Sequence, residues 1–248
     1  MKRILLVILF LAVFSMPAVA QEMTANEIMA RADEEANNFK ELSFYLKMDV
    51  IDKDGNKKTR KMKIWQKEGK RIIKFIEPAG DRGIAFLSID SNTSFVYLPA
   101  YKKIRRLASH VRNQTFMGSD FSYEDMATTG YLVDYNGKLL GQDDKYYNIE
   151  LTPKPGSKVS YSKLIVHISK GRFKYERLEY FDAKGEKVKE EMRENWQKYN
   201  DKYWNTTHIR MINLKDNHKT LLESEEIKYD TGFSDEIFTQ RNMKRPAR

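Results

Sequence analysis

Not one of the 248 residues is cysteine. That excludes a disulfide scaffold, a cysteine-based zinc site and a cysteine nucleophile. It also excludes a lipid anchor on a processed N-terminal cysteine. Nowhere does the chain hold the roughly 18 consecutive apolar residues that mark a spanning helix. Catalytic signatures are missing too. The histidines His110, His167, His208 and His218 form no His-Glu-x-x-His pair. There is no Gly-x-Ser-x-Gly elbow, P-loop or Gly-x-Gly-x-x-Gly turn. Glu190 and Glu194 share a strand face, but strands place acids on solvent faces routinely. Enzyme function and a metal or organic cofactor are therefore not expected.

What is present is core-forming material: 41% of the residues are hydrophobic and 12% aromatic, which argues against disorder. Lys and Arg number 44 against 35 Asp and Glu, a formal charge of +9. The first twenty residues read as an address. Lys2-Arg3 precede an apolar run from Ile4 to Phe14, Pro17 breaks it, and Ala18-Val19-Ala20 offers a small-x-small cleavage site. The run is far short of the ~20 residues that cross a bilayer. A secretory signal peptide over 1–20 is expected, with the mature chain starting at Gln21 as one domain over 21–248. An exported chain without cysteine suits the bacterial periplasm. Its basicity then points to anionic headgroups or an acidic partner, and nucleic acid is a poor candidate.

Thr24-Ala25-Asn26-Glu27 is a capping box, and Ile28, Ala32, Ala36 and Phe39 follow at helical spacing with Met29 beside them. One amphipathic helix is expected over 24–39. The period then drops to two. Phe44, Leu46, Met48 and Val50 alternate with polar neighbours, as do Met62 and Ile64 with Lys61, Lys63 and Trp65. Turns at Asp54-Gly55-Asn56 and Glu68-Gly69 make these antiparallel hairpins. Strands continue through Ile72–Ile76, Ile84–Ile89 and Phe95–Leu98. After an irregular stretch over 100–130 they resume as Lys145–Thr152, Ser160–Ser169, Arg172–Asp182, Lys187–Gln197, Tyr203–Asn213 and Thr220–Tyr229. Roughly 11 to 13 strands in one domain must curl or close, because long flat sheets are disfavoured. The concave face would be apolar, and one helix covers only part of it. Packed side chains or a ligand cavity must fill the rest.

Three segments carry a family resemblance: Phe75-Ile76-Glu77-Pro78-Ala79-Gly80-Asp81-Arg82-Gly83-Ile84-Ala85-Phe86-Leu87, Tyr97-Leu98-Pro99-Ala100-Tyr101-Lys102-Lys103-Ile104-Arg105-Arg106-Leu107, and Phe116-Met117-Gly118-Ser119-Asp120-Phe121-Ser122-Tyr123-Glu124-Asp125. Together they resemble the outer-membrane lipoprotein-sorting (LolA-like) family, and most closely its branch associated with RND-type inner-membrane lipid exporters. The resemblance implies a mainly β fold: an unclosed antiparallel half-barrel with an N-terminal helix, a short helical lid and a cavity for acyl chains. It implies a periplasmic carrier of lipid or lipoprotein between membranes, partnered by an inner-membrane RND-type transporter and an outer-membrane acceptor. A periplasmic lipid- or lipoprotein-sensing regulator of the same fold is the rival reading.

The candidate lipid-binding residues are Trp65, Phe75, Phe86, Leu87 and Tyr97 on the walls, with Phe116, Met117 and Phe121 near the mouth. Each large aromatic could equally be plain core. Lys102, Lys103, Arg105 and Arg106 form a basic run. It is either a solvated edge that resists aggregation or a dock for anionic headgroups or an acidic transporter surface. Arg82 is either part of a long hairpin connection or a rim residue facing a headgroup or a lid carbonyl. The carboxylates Asp120, Glu124 and Asp125 lack EF-hand spacing. Ser119 or Asp120 is expected to cap a short helix there.

Overall fold

A computed structural model describes residues 22–247; the expected leader and its junction at Gln21 lie outside the described residues. Helix α1 (Ala25–Asn37) starts where the capping box requires. Thr24 Oγ1 accepts from Glu27 N at 3.3 Å, and Glu27 Oε2 accepts from Thr24 N at 2.7 Å. Its apolar stripe buries Ala25, Ile28, Met29 and Ala32.

Thirteen strands follow: β1 (Leu42–Ile51), β2 (Lys57–Lys67), β3 (Lys70–Glu77), β4 (Ala85–Asp90), β5 (Thr93–Leu98), β6 (Lys103–Arg106), β7 (Tyr135–Gln142), β8 (Tyr146–Pro153), β9 (Lys163–Ser169), β10 (Tyr175–Phe181), β11 (Lys187–Tyr199), β12 (Tyr203–Asn213) and β13 (His218–Tyr229). All lie in one antiparallel sheet of order β6-β5-β4-β3-β2-β1-β13-β12-β11-β10-β9-β8-β7. The first and last strands pair in the middle, with Leu46 opposite Ser224 and Met48 opposite Leu222. The two edges, β6 and β7, are neighbours in sequence but do not pair, so the barrel is unclosed at that seam. Residues 107–134 span the seam and carry helix α2 (Tyr123–Ala127).

Strand alternation assigns the faces. Met62, Ile64, Ile73, Phe75, Phe86 and Val96 face the concave side and join the main core with α1. Trp65, Ile72, Ala85 and Leu87 face outward. This outer patch is covered by the C-terminal segment, whose Phe238 and Met243 pack on it, Met243 lying in helix α3 (Gln240–Met243). Lys74 reaches the same segment, donating to Asn242 O at 2.7 Å and Arg245 O at 3.1 Å. The sheet is therefore apolar on both faces over β2–β5. On β10 and β11 the outer face is charged, with Arg177, Glu179, Lys187 and Glu190 paired to one another.

α1 lies against β7, and the approach is close. A Cβ on Gly137 would stand 2.4 Å from Met29 Sδ. Glycine is what lets the helix descend onto that strand. Asn26 Oδ1 fixes the contact by accepting from Gly137 N at 2.8 Å.

Candidate functional site

The concave interior is filled at one end and hollow at the other. Phe116, from the seam-spanning segment, packs against Phe75, Phe86 and Tyr123 with ring centroids 5.4–5.8 Å apart. Phe75, Phe86 and Phe116 are all fully buried. They form a plug and line neither of the two hollows beside it. Met117, at φ 53°, turns the chain there and packs on the edge of the same core.

The hollow lies toward the other end of the sheet, beside the C-terminal end of α1. A cavity of about 210 Å³ is walled by Leu42, Phe44, Leu46, Ile64, Ile209 and Leu222 and by the aromatics Tyr175, Tyr180, Trp196, Tyr203 and Trp204. Ala36 and Phe39 close it from the helix side. Phe121, Met126 and residues 128–131 roof it. A second space of about 330 Å³ lies against the same segment and shares Asp125, Thr128, Thr129, Gly130, Tyr131 and Tyr180 with the first. The roof is thus a partition between two hollows.

The roof is held by polar contacts. Arg71, on the concave face of β3, donates from Nη1 to Met126 O at 2.7 Å. Its Nε and Nη2 donate to Gln66 Oε1 at 3.3 and 2.9 Å. Gln66 Nε2 donates to Asn37 Oδ1 at 3.1 Å, and Asn37 Nδ2 donates to Thr129 O at 2.7 Å. Asp33 Oδ2 accepts from Tyr131 N at 2.8 Å and Leu132 N at 2.7 Å, while its Oδ1 accepts from Tyr175 Oη at 2.8 Å. Burial pushes the Asp33 carboxyl up, against these bonds. Gly130 sits where a Cβ would come within 2.9 Å of that carboxylate.

α2 is capped by Ser122, not by Ser119 or Asp120. Ser122 Oγ accepts from Asp125 N at 3.0 Å, and Asp125 Oδ2 accepts from Ser122 N at 2.7 Å. Asp120 instead meets His218 Nδ1 at 2.9 Å and accepts from Thr220 Oγ1 at 2.7 Å. Glu124 accepts from Ser160 Oγ at 2.6 Å. The carboxylates of this acidic stretch thus anchor the seam-spanning segment to the sheet.

The interior also carries charge that the strand pattern hid. Arg193 Nε pairs with Glu191 Oε1 at 2.6 Å, and Tyr180 Oη donates to Glu191 Oε2 at 2.6 Å. Lys174 is buried and donates from Nζ to Glu35 O. Burial lowers Lys174 to about 8 and Arg71 to about 10, the nearby Arg193 adding to the second.

Of the eight residues expected to meet lipid, Phe121 alone lines the cavity. Trp65, Leu87 and Tyr97 are on the outer face under the C-terminal segment. The physical reason is the period of two: Trp65 follows Ile64 and must point the opposite way, and its face is apolar because the chain terminus covers it. Arg82 is exposed and donates to Ile76 O at 3.1 Å within its own connection. Lys102, Lys103, Arg105 and Arg106 are all exposed on and beside the edge strand β6. Sequence reasoning missed Arg71, Glu191 and Arg193. The available signal was a charge at an inward register position: Arg71 shares a face with Ile73 and Phe75.

A family model described only as an uncharacterized protein matches residues 67–245. No curated protein matches the chain. Among solved structures, an outer membrane lipoprotein-sorting protein domain from Vibrio parahaemolyticus superposes with a TM-score of 0.82 at 26% identity, covering 89% of this chain and 98% of its own. A DUF1329 family protein from Desulfovibrio piger gives a TM-score of 0.82 at 25% identity, covering 88% and 97%. A LolA superfamily protein from Nitrosomonas europaea shares the fold, with a TM-score of 0.75 at 24% identity over 89% and 100%.

Proposed function

From the likeness of this chain to an outer membrane lipoprotein-sorting protein domain over most of both chains, we propose that it belongs to the LolA-like family and is a periplasmic carrier of acyl chains of lipid or lipoprotein. It binds and releases its cargo without covalent chemistry. It receives the cargo from an inner-membrane transporter, of the RND type by the sequence resemblance, and hands it to an outer-membrane acceptor.

One observation carries this reading: an apolar, aromatic-walled cavity under a roof held by hydrogen bonds from Arg71, Asn37 and Asp33. A 16-carbon chain costs on the order of 12 kcal/mol to leave a membrane, at ~0.8 kcal/mol per methylene. Only enclosure offsets that. The cavity of about 210 Å³ is below the ~300 Å³ at which ligand pockets begin. Displacing residues 126–131 would join it to the second hollow behind them. Hydrogen bonds suit such a roof, because each contributes only ~1 kcal/mol net and can be exchanged. Transfer requires binding that is reversible.

The test is displacement of a fluorescent fatty-acyl probe. The wild type should bind it. Ile209→Trp, a half-buried wall position, should weaken binding about tenfold by filling the cavity while leaving the circular dichroism spectrum unchanged. A folded wild type that excludes the probe overturns the proposal.

A further inference from the structure

We infer that the cavity is built for an amphiphile whose head carries a carboxylate or phosphate, seated on Arg71 and Lys174. This inference rests on the carrier reading and specifies its cargo.

A buried cation is costly unless paired. Arg193 obeys that rule, with Glu191 at 2.6 Å. Arg71 and Lys174 line the same cavity and, among the described residues, have no carboxylate in ion-pair reach. Among the described residues, the Arg71 guanidinium donates only to the Gln66 side-chain oxygen and the Met126 carbonyl, both neutral. Among the described residues, Lys174 Nζ donates only to the Glu35 carbonyl. Of the wall acids, Glu191 is committed to Arg193 and Tyr180 and Asp125 to Lys189 and Tyr161, while the Glu35 carboxylate accepts from Asn38 Nδ2 at 3.1 Å and acts on Lys174 only from beyond ion-pair distance. Burial is the main cause of both depressed pKa values, the Arg193 charge adding to each and the Glu35 carboxylate partly offsetting that of Lys174.

An apolar pocket for neutral chains gains nothing from two such cations. Methionine or leucine would fill the volume without the cost of desolvation. An arriving anion would supply the missing partner. Charge-assisted bonds to a planar guanidinium are shorter and about twice as strong as neutral ones. Of the five N–H groups of Arg71, three are engaged by the described residues, so a bidentate oxygen pair can be accommodated. The acyl chain would then extend along Phe44, Ile64 and Leu222.

The experiment compares four ligands of one chain length: dodecanoate, dodecyl phosphate, dodecanol and dodecyltrimethylammonium. Each displaces a neutral fluorescent probe from the full chain at pH 7. Both anions should bind about tenfold or more tightly than dodecanol, the size expected of one charge-assisted hydrogen bond. The ratio between the two anions distinguishes carboxylate from phosphate. Arg71→Gln and Lys174→Met should each reduce the ratio of anion to dodecanol affinity, and reading the ratio cancels any general change that loss of the Arg71 roof contact brings to both ligands. Arg71→Lys should retain part of it. Equal binding of anion and alcohol by the wild type overturns the inference while leaving the carrier reading in place, and this comparison needs no variant to fold. A preference that survives both substitutions also overturns it. Failure of all four ligands to displace the probe, or of the probe to bind, overturns the carrier reading and this inference with it.

Discussion

Lys74 holds its ammonium group on the outer face of β3, almost out of contact with solvent, bonded to two carbonyls of the C-terminal segment. Burial lowers its pKa to about 8, with the Arg245 charge adding. The unfolded value is ~10.4. Between these two values the unfolded chain holds the proton and the folded chain does not. The unfolded state therefore binds more protons, and stability rises with pH through that window. We expect the urea midpoint of the wild type, relative to Lys74→Met at each pH, to climb from about pH 8 to pH 10 and then level off. A difference that stays flat across that range would mean that Lys74 is not held in its buried site. The ammonium protons bond the Asn242 and Arg245 carbonyls and so tie the C-terminal segment to β3.

At the scale of elements, α1 is placed by one glycine. Gly137 in β7 faces Met29, Ala25 and Ile149, and a methyl there would come within 2.4 Å of Met29 Sδ. The placement matters because α1 supplies Asp33 and Asn37, which hold the roof. Gly137→Ala should destabilise the protein by about 1–3 kcal/mol, the usual cost of overpacking. In a Met29→Ala background the same change should cost less, because the clash partner is gone. Urea denaturation of the four proteins measures the coupling, and strict additivity would show that the helix does not bear on that strand. The C-terminal segment acts on the other face. It turns β2–β5 from a one-sided sheet into one buried on both sides, which is why large residues occupy successive positions at Ile64-Trp65 and Ile72-Ile73.

At the scale of the molecule, the barrel ends in two unpaired edges, and the one at β6 is guarded by charge. Lys102, Lys103, Arg105 and Arg106 are exposed, while Ile104 turns into the outer apolar cluster. Exposed charges contribute ~0–1 kcal/mol to stability. Replacing all four with Gln should leave the melting temperature nearly unchanged. If this edge docks on anionic membranes, the quadruple variant should bind anionic vesicles more weakly, and its residual binding should lose salt sensitivity. Unaltered binding would leave the run its role as a guard against edge-to-edge pairing.

Local physics made much of this legible. The capping box at Thr24, the alternation from Phe44 onward and the turn residues are properties of neighbouring residues, so helix α1 and most strands follow from the sequence without a partner in view. The two missed strands have tertiary causes. β6 is four residues of mostly charge on an edge, and β7 carries Gly137, whose value appears only when a helix lies on it. The site was less legible. Alternation already separated Trp65 from Ile64, but which face is concave depends on how thirteen strands curl. Whether the outer face is wet depends on where the last residues return. Phe75 and Phe86 point inward as alternation requires, yet Phe116 from across the seam fills the space before them. Side-chain period is set by the backbone and can be read one residue at a time. Enclosure, and with it the position of the cavity and the cost of burying Arg71 and Lys174 with no acid in ion-pair reach, arises only when segments distant in sequence meet.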